Sequence, residues 1–158
     1  MVMKEQLRDE IKQQRPIESL EQEALLNVLY TADALMQKIT AVLKPFKLSH
    51  SQYNVLRILR GAKPDGLACQ EISERMISRD PDITRLLDRL EARGLVTRTR
   101  DQKDRRVVTA RITREGLRLL EALDKPIAEV DRYPLQHLGE QQLRTFIQLL
   151  ELARARGG

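Results

Sequence analysis

The sequence predicts a mainly α-helical protein with a small β-hairpin wing: a winged helix-turn-helix lobe flanked by long N- and C-terminal helices. Three observations within residues 69–113 predict this fold. Two short helical patterns follow each other, and the second carries an apolar stripe at helical spacing, made of Ile83, Leu86, Leu87 and Leu90. The segments LVTRTR and VVTARI have the β-branched content and polar alternation of half-exposed strands. Between them DQKDRR, residues 101–106, is too charged to pack and forms a projecting tip, here called the wing.

The N-terminal part predicts one long helix. Residues 1–17 hold a short amphipathic pattern, which suits an arm packed on a partner subunit and a frayed tail equally well. Ser19 and Gln22 have the spacing of a capping box, and Pro45 ends the apolar periodicity that follows them. The predicted helix therefore runs from about residue 20 to the residues just before Pro45.

Three helices are predicted in the lobe before the hairpin. Ser49 and Gln52 form a second capping box, which starts a helix that ends before the turn at residues 61–66. Residues 67–77 predict the next helix. Asp80-Pro81 then starts the recognition helix, about residues 81–93, because Asp caps well and Pro suits the first helical position. Gly94 is expected to end it in a left-handed conformation.

Two further helical patterns follow the hairpin. Thr113 opens the first, which Pro126 is expected to kink or break, and the second runs from about residue 140 to residue 154. The apolar sides of the terminal helices are wider than one small lobe needs, which favours a symmetric homodimer. The predicted division is 1–46 for N-terminal dimerisation helices, 47–113 for the lobe and 114–158 for C-terminal dimerisation helices.

Charge and composition narrow the function. Net charge is +5, and residues 89–118 hold ten Lys or Arg against four acidic residues, so the excess lies around the hairpin, where a phosphate backbone is expected. Aromatic residues make up only 3% of the chain, which argues against single-stranded nucleic acid stacked on aromatic platforms. No apolar run approaches a membrane span, no signal-peptide core is present and there is one Cys, so we expect a cytoplasmic protein.

The stretch TRLLDRLEARGLV, the D-R-R sequence at residues 104–106 and the following V-V-T…T-x-x-G resemble the multiple-antibiotic-resistance-regulator (MarR) family of transcription factors. The resemblance covers about residues 20–155. It implies a homodimer with interdigitated terminal helices, two winged lobes and a palindromic double-stranded DNA operator. It also implies repression that a small, often phenolic, ligand or thiol oxidation relieves. Two features depart from the usual pattern: Pro81 and Asp82 replace small hydroxyl residues, and Pro126 interrupts a long helix.

Arg85 and Arg89 lie one turn apart on the recognition helix, opposite its apolar stripe. A helix fits a major groove, where Arg binds guanine through two hydrogen bonds. The alternative is a solvated face with each Arg paired to a neighbouring Asp; groove contact is favoured for Arg85 and the two interpretations are balanced for Arg89. Thr84 is a candidate for a phosphate or thymine-methyl contact. Asp82 either accepts from cytosine or complements the helix dipole.

Arg105 and Arg106 are predicted to reach a minor groove, where narrow A·T tracts attract guanidinium groups. By resemblance, Arg106 is the minor-groove residue, and Asp104 is interpreted as the ion-pair partner that fixes its fork. Lys103 and Arg98 are predicted to contact phosphate and set position. The alternative is a mobile charged loop.

An effector pocket is predicted between the terminal helices and the lobe, with Tyr30, Met36, Tyr53 and Leu117 as candidates, although aliphatic positions at helical spacing are usually core. Cys69 stands without a resolving Cys, so a small apolar packing role is favoured over a thiol sensor.

The sequence predicts no catalytic residues, no metal site and no cofactor, because two isolated His residues and no phosphate-binding loop are present. An enzyme is therefore not expected. Two rival functions remain open: a winged-helix module that binds protein instead of DNA, and a ligand-binding helical dimer. A steep loss of affinity with rising salt is expected of a DNA binder and not of an apolar docking surface.

Overall fold

The computed structural model describes residues 6–78 and 82–155, which form seven α-helices and three β-strands. In chain order these are α1 Gln6–Glu10, α2 Leu20–Leu43, α3 His50–Gly61, β1 Leu67–Ala68, α4 Cys69–Arg75, α5 Ile83–Ala92, β2 Val96–Arg100, β3 Val108–Ile112, α6 Arg114–Arg132 and α7 Gly139–Ala155. The predicted fold class, mainly helical with a small β-hairpin wing, is confirmed. None of the described helices combines the length and apolar character needed to cross a membrane.

The chain divides by its contacts into two compact units, residues 1–38 and 39–158. The first contains α1 and most of α2, on which several large apolar side chains are exposed: Leu20, Leu25, Val28, Leu29 and Tyr30. In the second unit α7 likewise exposes Ile147, Leu149 and Leu152. The three-part division expected from the sequence stays a prediction.

The core of the second unit is aliphatic and joins the lobe helices to the sheet. Its largest fully buried side chains are Leu43, Leu56, Leu59, Ile72, Leu87, Leu90, Leu120, Leu123, Val55 and Val96. The whole apolar stripe of α5 is buried, as its spacing predicts. Burial of one such side chain stabilises by about 1.5–3 kcal/mol, so this stripe fixes the rotation of α5 about its own axis.

The sheet has three antiparallel strands in the order β1-β3-β2, one strand more than the predicted hairpin. The prediction of helix from residue 67 was wrong, because Leu67 and Ala68 pair with Ala110 and Thr109 of β3. Leu67 is buried, as the helical pattern also required, so spacing alone did not separate the two structures. Helix α4 consequently begins at Cys69.

Pro126 does not break α6, which runs unbroken through it. A proline inside a helix removes one hydrogen bond and costs about 3 kcal/mol. Leu123 and Ile127, on the two sides of Pro126, are both buried and together offset that cost. The expected break was therefore wrong, because burial outweighs local propensity here, and the expected kink stays a prediction.

The end of α5 is closed by a Schellman motif. Leu95 N–H donates to the carbonyl of Leu90 at 3.0 Å, and Gly94 N–H donates to that of Glu91 at 2.8 Å. Gly94 has a φ of +70°, a conformation that costs glycine nothing. This confirms the predicted helix end and directs the chain into β2.

Helix α6 approaches the α5–β2 connection closely at Gly116. Thr113 caps α6 by accepting from Gly116 N–H at 3.1 Å, and its hydroxyl donates to the carbonyl of Gly94 at 2.6 Å. A Cβ at Gly116 would lie 2.4 Å from the Leu95 carbonyl oxygen and 2.7 Å from Cγ1 of Ile112. The contact with backbone leaves no flexible atom to move aside.

Gly116→Ala is expected to lower the free energy of unfolding by about 1–3 kcal/mol, because the added methyl overpacks this contact. Urea unfolding followed by circular dichroism measures the change. Gly61→Ala is the matched control: Gly61 also lies in a helix, and nothing lies within 4 Å of a Cβ added there. Equal stability of the two variants would contradict the close approach.

Candidate nucleic-acid interface

Helix α5 exposes the side opposite its buried stripe. Thr84, Arg85, Asp88 and Arg89 all lie on that side and are exposed. Asp82, Arg85 and Arg89 also border one concavity of about 210 Å³ together with Leu86. The structure thus brings these candidate residues of the recognition helix onto one surface.

Asp82 is the N-cap of α5, and its carboxylate accepts from Arg85 N–H at 3.0 Å. The cap predicted at Asp80 and Pro81 lies outside the described residues. Helix α5 begins at Ile83, two residues later than predicted. Of the two interpretations of Asp82, the geometry favours a helix cap over a base contact, because one carboxylate oxygen already binds the first turn.

Asn54 holds the segment between α4 and α5, and the sequence analysis missed it. The residue is 4% exposed, and its Oδ1 accepts from the backbone N–H of Ile77 at 2.9 Å. A buried side-chain oxygen left without a donor costs about 1–3 kcal/mol, so this bond fixes the chain at Ile77, just after α4. The available signal was a polar residue inside the apolar run YNVL.

Arg93, counted with the basic excess, has a structural role. Its guanidinium donates to the carbonyls of Lys47 at 2.7 Å and Phe46 at 3.0 Å. These carbonyls follow α2 and precede α3, so the bonds fasten the C-terminal end of α5 to that connection. Only the tertiary structure brings the three residues together.

The wing is folded by two aspartates. Asp101 Oδ1 accepts from the N–H groups of Lys103 at 2.7 Å and Asp104 at 3.0 Å, and these bonds lower the pKa of Asp101. Asp104 Oδ1 accepts from Arg106 N–H at 3.0 Å and lies 3.3 Å from its Nε. The Arg106 side chain is 92% exposed. The wing therefore presents this arginine to solvent on an ordered turn.

Arg98 is not free in the way the phosphate prediction requires. Its Nη2 lies 2.6 Å from Asp88 Oδ1 and 2.6 Å from Glu91 Oε2, and its side chain is 20% exposed. The Arg98 hydrogen bonds lower the pKa of Glu91, and the same bonds raise the pKa of Arg98. By contrast, within the part of the chain that the structure describes, Arg85, Arg89, Lys103 and Arg105 form no ion pair.

The candidate effector residues fall in both units. On α2, Tyr30 is exposed and Met36 is half-buried. In residues 39–158, Tyr53 is buried with the Arg57 guanidinium 5.9 Å from its ring centroid, and Leu117 is half-buried. The pocket stays a prediction. Cys69 is half-buried against the core, with Sγ 3.8 Å from the carbonyl of Val108, which favours packing.

A sequence model described as MarR family matches residues 48–108. The HTH-type transcriptional regulator PrsX of Escherichia coli is 32% identical over 113 residues, which cover 71% of this chain and 68% of PrsX.

Two solved structures are also similar. A MarR transcription factor from Planctomyces limnophilus is 42% identical, with a TM-score of 0.68 over 87% of this chain and 99% of that chain. The MepR–DNA complex of S. aureus has a TM-score of 0.74 at 23% identity, over 81% of this chain and 93% of MepR. At that identity the likeness shows a shared fold.

The Glu91–Arg98 pair makes the stability of the fold depend on pH. Because Arg98 lowers the folded-state pKa of Glu91, the pair stabilises the fold above the ordinary carboxyl pKa of 4.5. That stabilisation is lost as the pH falls through the depressed value. Arg98→Gln is expected to raise the pKa of Glu91, measured by carboxyl NMR titration. Arg60→Gln, which breaks the pair with Asp124, should leave it unchanged; a Glu91 pKa that ignores Arg98 would contradict the pairing.

Proposed function

The chain belongs to the MarR family of DNA-binding transcriptional regulators, and on that premise we propose that α5 enters a major groove of duplex DNA while the wing enters a neighbouring minor groove. This proposal rests on the exposed face of α5. Its stripe is buried, its start is capped by Asp82, and its two outward arginines have no ion-pair partner among the described residues. The family is one of regulators and not of enzymes.

The proposed role of Arg85 is a two-bond contact with guanine, since a guanidinium fork matches guanine O6 and N7. Arg89, one turn further along, makes a second groove contact. Thr84 contacts a phosphate or a thymine methyl group. Asp82 acts by holding Arg85 N–H and the first turn of the helix in place.

In the wing, Arg105 and Arg106 are proposed to enter the minor groove, and Lys103 to contact phosphate. Asp104 supports the proposal by binding both the backbone and the side chain of Arg106, which limits the conformations that the arginine loses on binding.

A second copy of the chain is proposed to cover the exposed apolar residues of α2 and α7. Large apolar side chains left in water on long helices are typical of a subunit interface. A symmetric dimer presents two lobes, so the operator is palindromic and its half-sites lie about one helical turn, ~34 Å, apart.

We also propose, from the family resemblance, that the protein is a repressor released by a small, often phenolic, ligand. The candidate pocket residues stay Tyr30, Met36, Tyr53 and Leu117. Cys69 is not proposed as the switch, because its sulfur packs against the core.

Sequencing of duplex fragments selected from a random pool by the purified protein tests the function. The wild type is expected to enrich a palindrome with the spacing given above. Arg85→Ala is expected to relax the preference at one base pair of each half-site, because the guanine contact is lost. Affinity loss without any change of preference would make Arg85 a phosphate contact, and no enrichment by the wild type would end the proposal.

Arg106→Ala is expected to weaken binding to the selected operator by about 1–3 kcal/mol, because the minor-groove contact is lost. Fluorescence anisotropy at fixed salt measures the affinity. Arg60→Ala is the control for the loss of one positive charge, since Arg60 binds Asp124 at 2.9 and 3.0 Å and joins α3 to α6. Equal affinities of the two variants would remove the wing from the interface.

A further inference from the structure

We infer that Arg98 is a positioning residue that couples the wing to the recognition helix, so that the two DNA-contacting elements meet the duplex as one body. The inference rests on the proposed groove contacts of α5 and the wing. It replaces the phosphate contact predicted for Arg98 from the sequence.

All four bonds of Arg98 to α5 end on two carboxylates. Nη2 donates to Asp88 Oδ1 and to Glu91 Oε2, each at 2.6 Å. Nε donates to Glu91 Oε2 at 3.1 Å, and the backbone N–H donates to Glu91 Oε1, also at 3.1 Å. Glu91 thus holds the side chain and the main chain of one strand residue, and Asp88 adds a second hold one turn earlier on the helix.

Arg98 lies in β2, the strand that leads into the wing, so its bonds to α5 also restrict the position of the wing. Strand β2 lies at the edge of the three-stranded sheet, so among the described residues its outer amides have no neighbouring strand to bind, and Glu91 accepts from the amide of Arg98. The strand ends at Arg100, directly before the wing. A strand tied to α5 at Arg98 therefore limits how far the wing can swing relative to the helix.

The charges of the cluster argue against a phosphate contact. One guanidinium and two carboxylates sum to −1, so the cluster does not attract a phosphate. To bind one, Arg98 would have to leave both partners, and Asp88 and Glu91 would then lie unpaired beside the DNA. The short distances and the raised pKa of Arg98 both indicate that the guanidinium stays with the helix.

The phosphate role and the coupling role of Arg98 predict different changes of DNA affinity for the same variants. Glu91→Gln removes a negative charge near the DNA and leaves Arg98 with Asp88 as its remaining carboxylate partner, so a phosphate role predicts tighter binding. Coupling predicts weaker binding. Arg98→Lys keeps the charge and removes the fork, so a phosphate role predicts near wild-type affinity and coupling predicts a loss. The matched controls are Asp124→Asn and Arg60→Lys, the same changes in the Arg60–Asp124 pair.

The decisive measurement is the fold-loss of operator affinity that Arg106→Ala causes, here called the Arg106 penalty. It is measured by anisotropy on the selected operator, in the wild type and in each of the four variants as background. In the wild type we expect a penalty on the order of tenfold. In Glu91→Gln and Arg98→Lys we expect it to fall below about threefold, because a wing no longer held against α5 gains little from Arg106. In the two controls the full penalty should persist.

If Arg106→Ala still weakens binding about tenfold in both the Glu91→Gln and the Arg98→Lys backgrounds, the coupling is overturned. Lower affinity of those backgrounds would then indicate a purely structural role for Arg98. Higher affinity of Glu91→Gln would indicate a phosphate contact. No Arg106 effect in the wild type instead removes the wing from the interface, and the inference with it, whereas the proposed function as a whole ends only if the wild type enriches no operator. Circular dichroism checks that each variant is folded. Asp88→Asn, which leaves Glu91 in place, is the milder substitute, and a smaller fall of the Arg106 penalty is expected there.

Discussion

Burial of the apolar stripe on α5 is the constraint on which the rest of the lobe depends. Ile83, Leu86, Leu87 and Leu90 are all buried, so the helix cannot rotate about its axis without exposing several of them. Their combined contribution, at about 1.5–3 kcal/mol each, far exceeds that of any single ion pair on the helix surface. Burial of the apolar stripe therefore also fixes which side of α5 faces solvent, and Arg85 lies on that exposed side.

Rotation alone does not place a helix; its ends and the segments around it must also be held. Polar groups do this in the structure, each by a different bond. Asp82 caps the first turn, Asn54 binds the preceding segment at Ile77, and Arg93 fastens the last turn to the carbonyls of residues 46 and 47. Asp82 and Arg93 thus organise the surface of the lobe, and fewer arginines remain for the proposed contact with DNA than the charge count suggests.

The wing and α5 are ordered by different interactions. The helix is ordered by apolar burial, whereas the wing contains no buried residue and relies on Asp101 and Asp104 to bind its own backbone. Such a turn fixes the local shape of the wing but not its orientation relative to α5. That orientation depends on β2 and on the bonds of Arg98, which are the only side-chain bonds described between β2 and α5.

The sequence by itself determined the features that repeat locally: the stripe of α5, the Gly94 helix end, the second capping box and the β-branched strands, because each depends on spacing within one or two turns. Tertiary structure decided the rest. Leu67 forms a strand because β3 lies beside it, and α6 continues through Pro126 because its neighbours are buried. Arg93 and Arg98 are committed to partners 46 and seven residues away, which charge alone does not reveal. The sequence gives the charge of each side chain, but which charged or polar group that side chain binds depends on distances that tertiary packing sets.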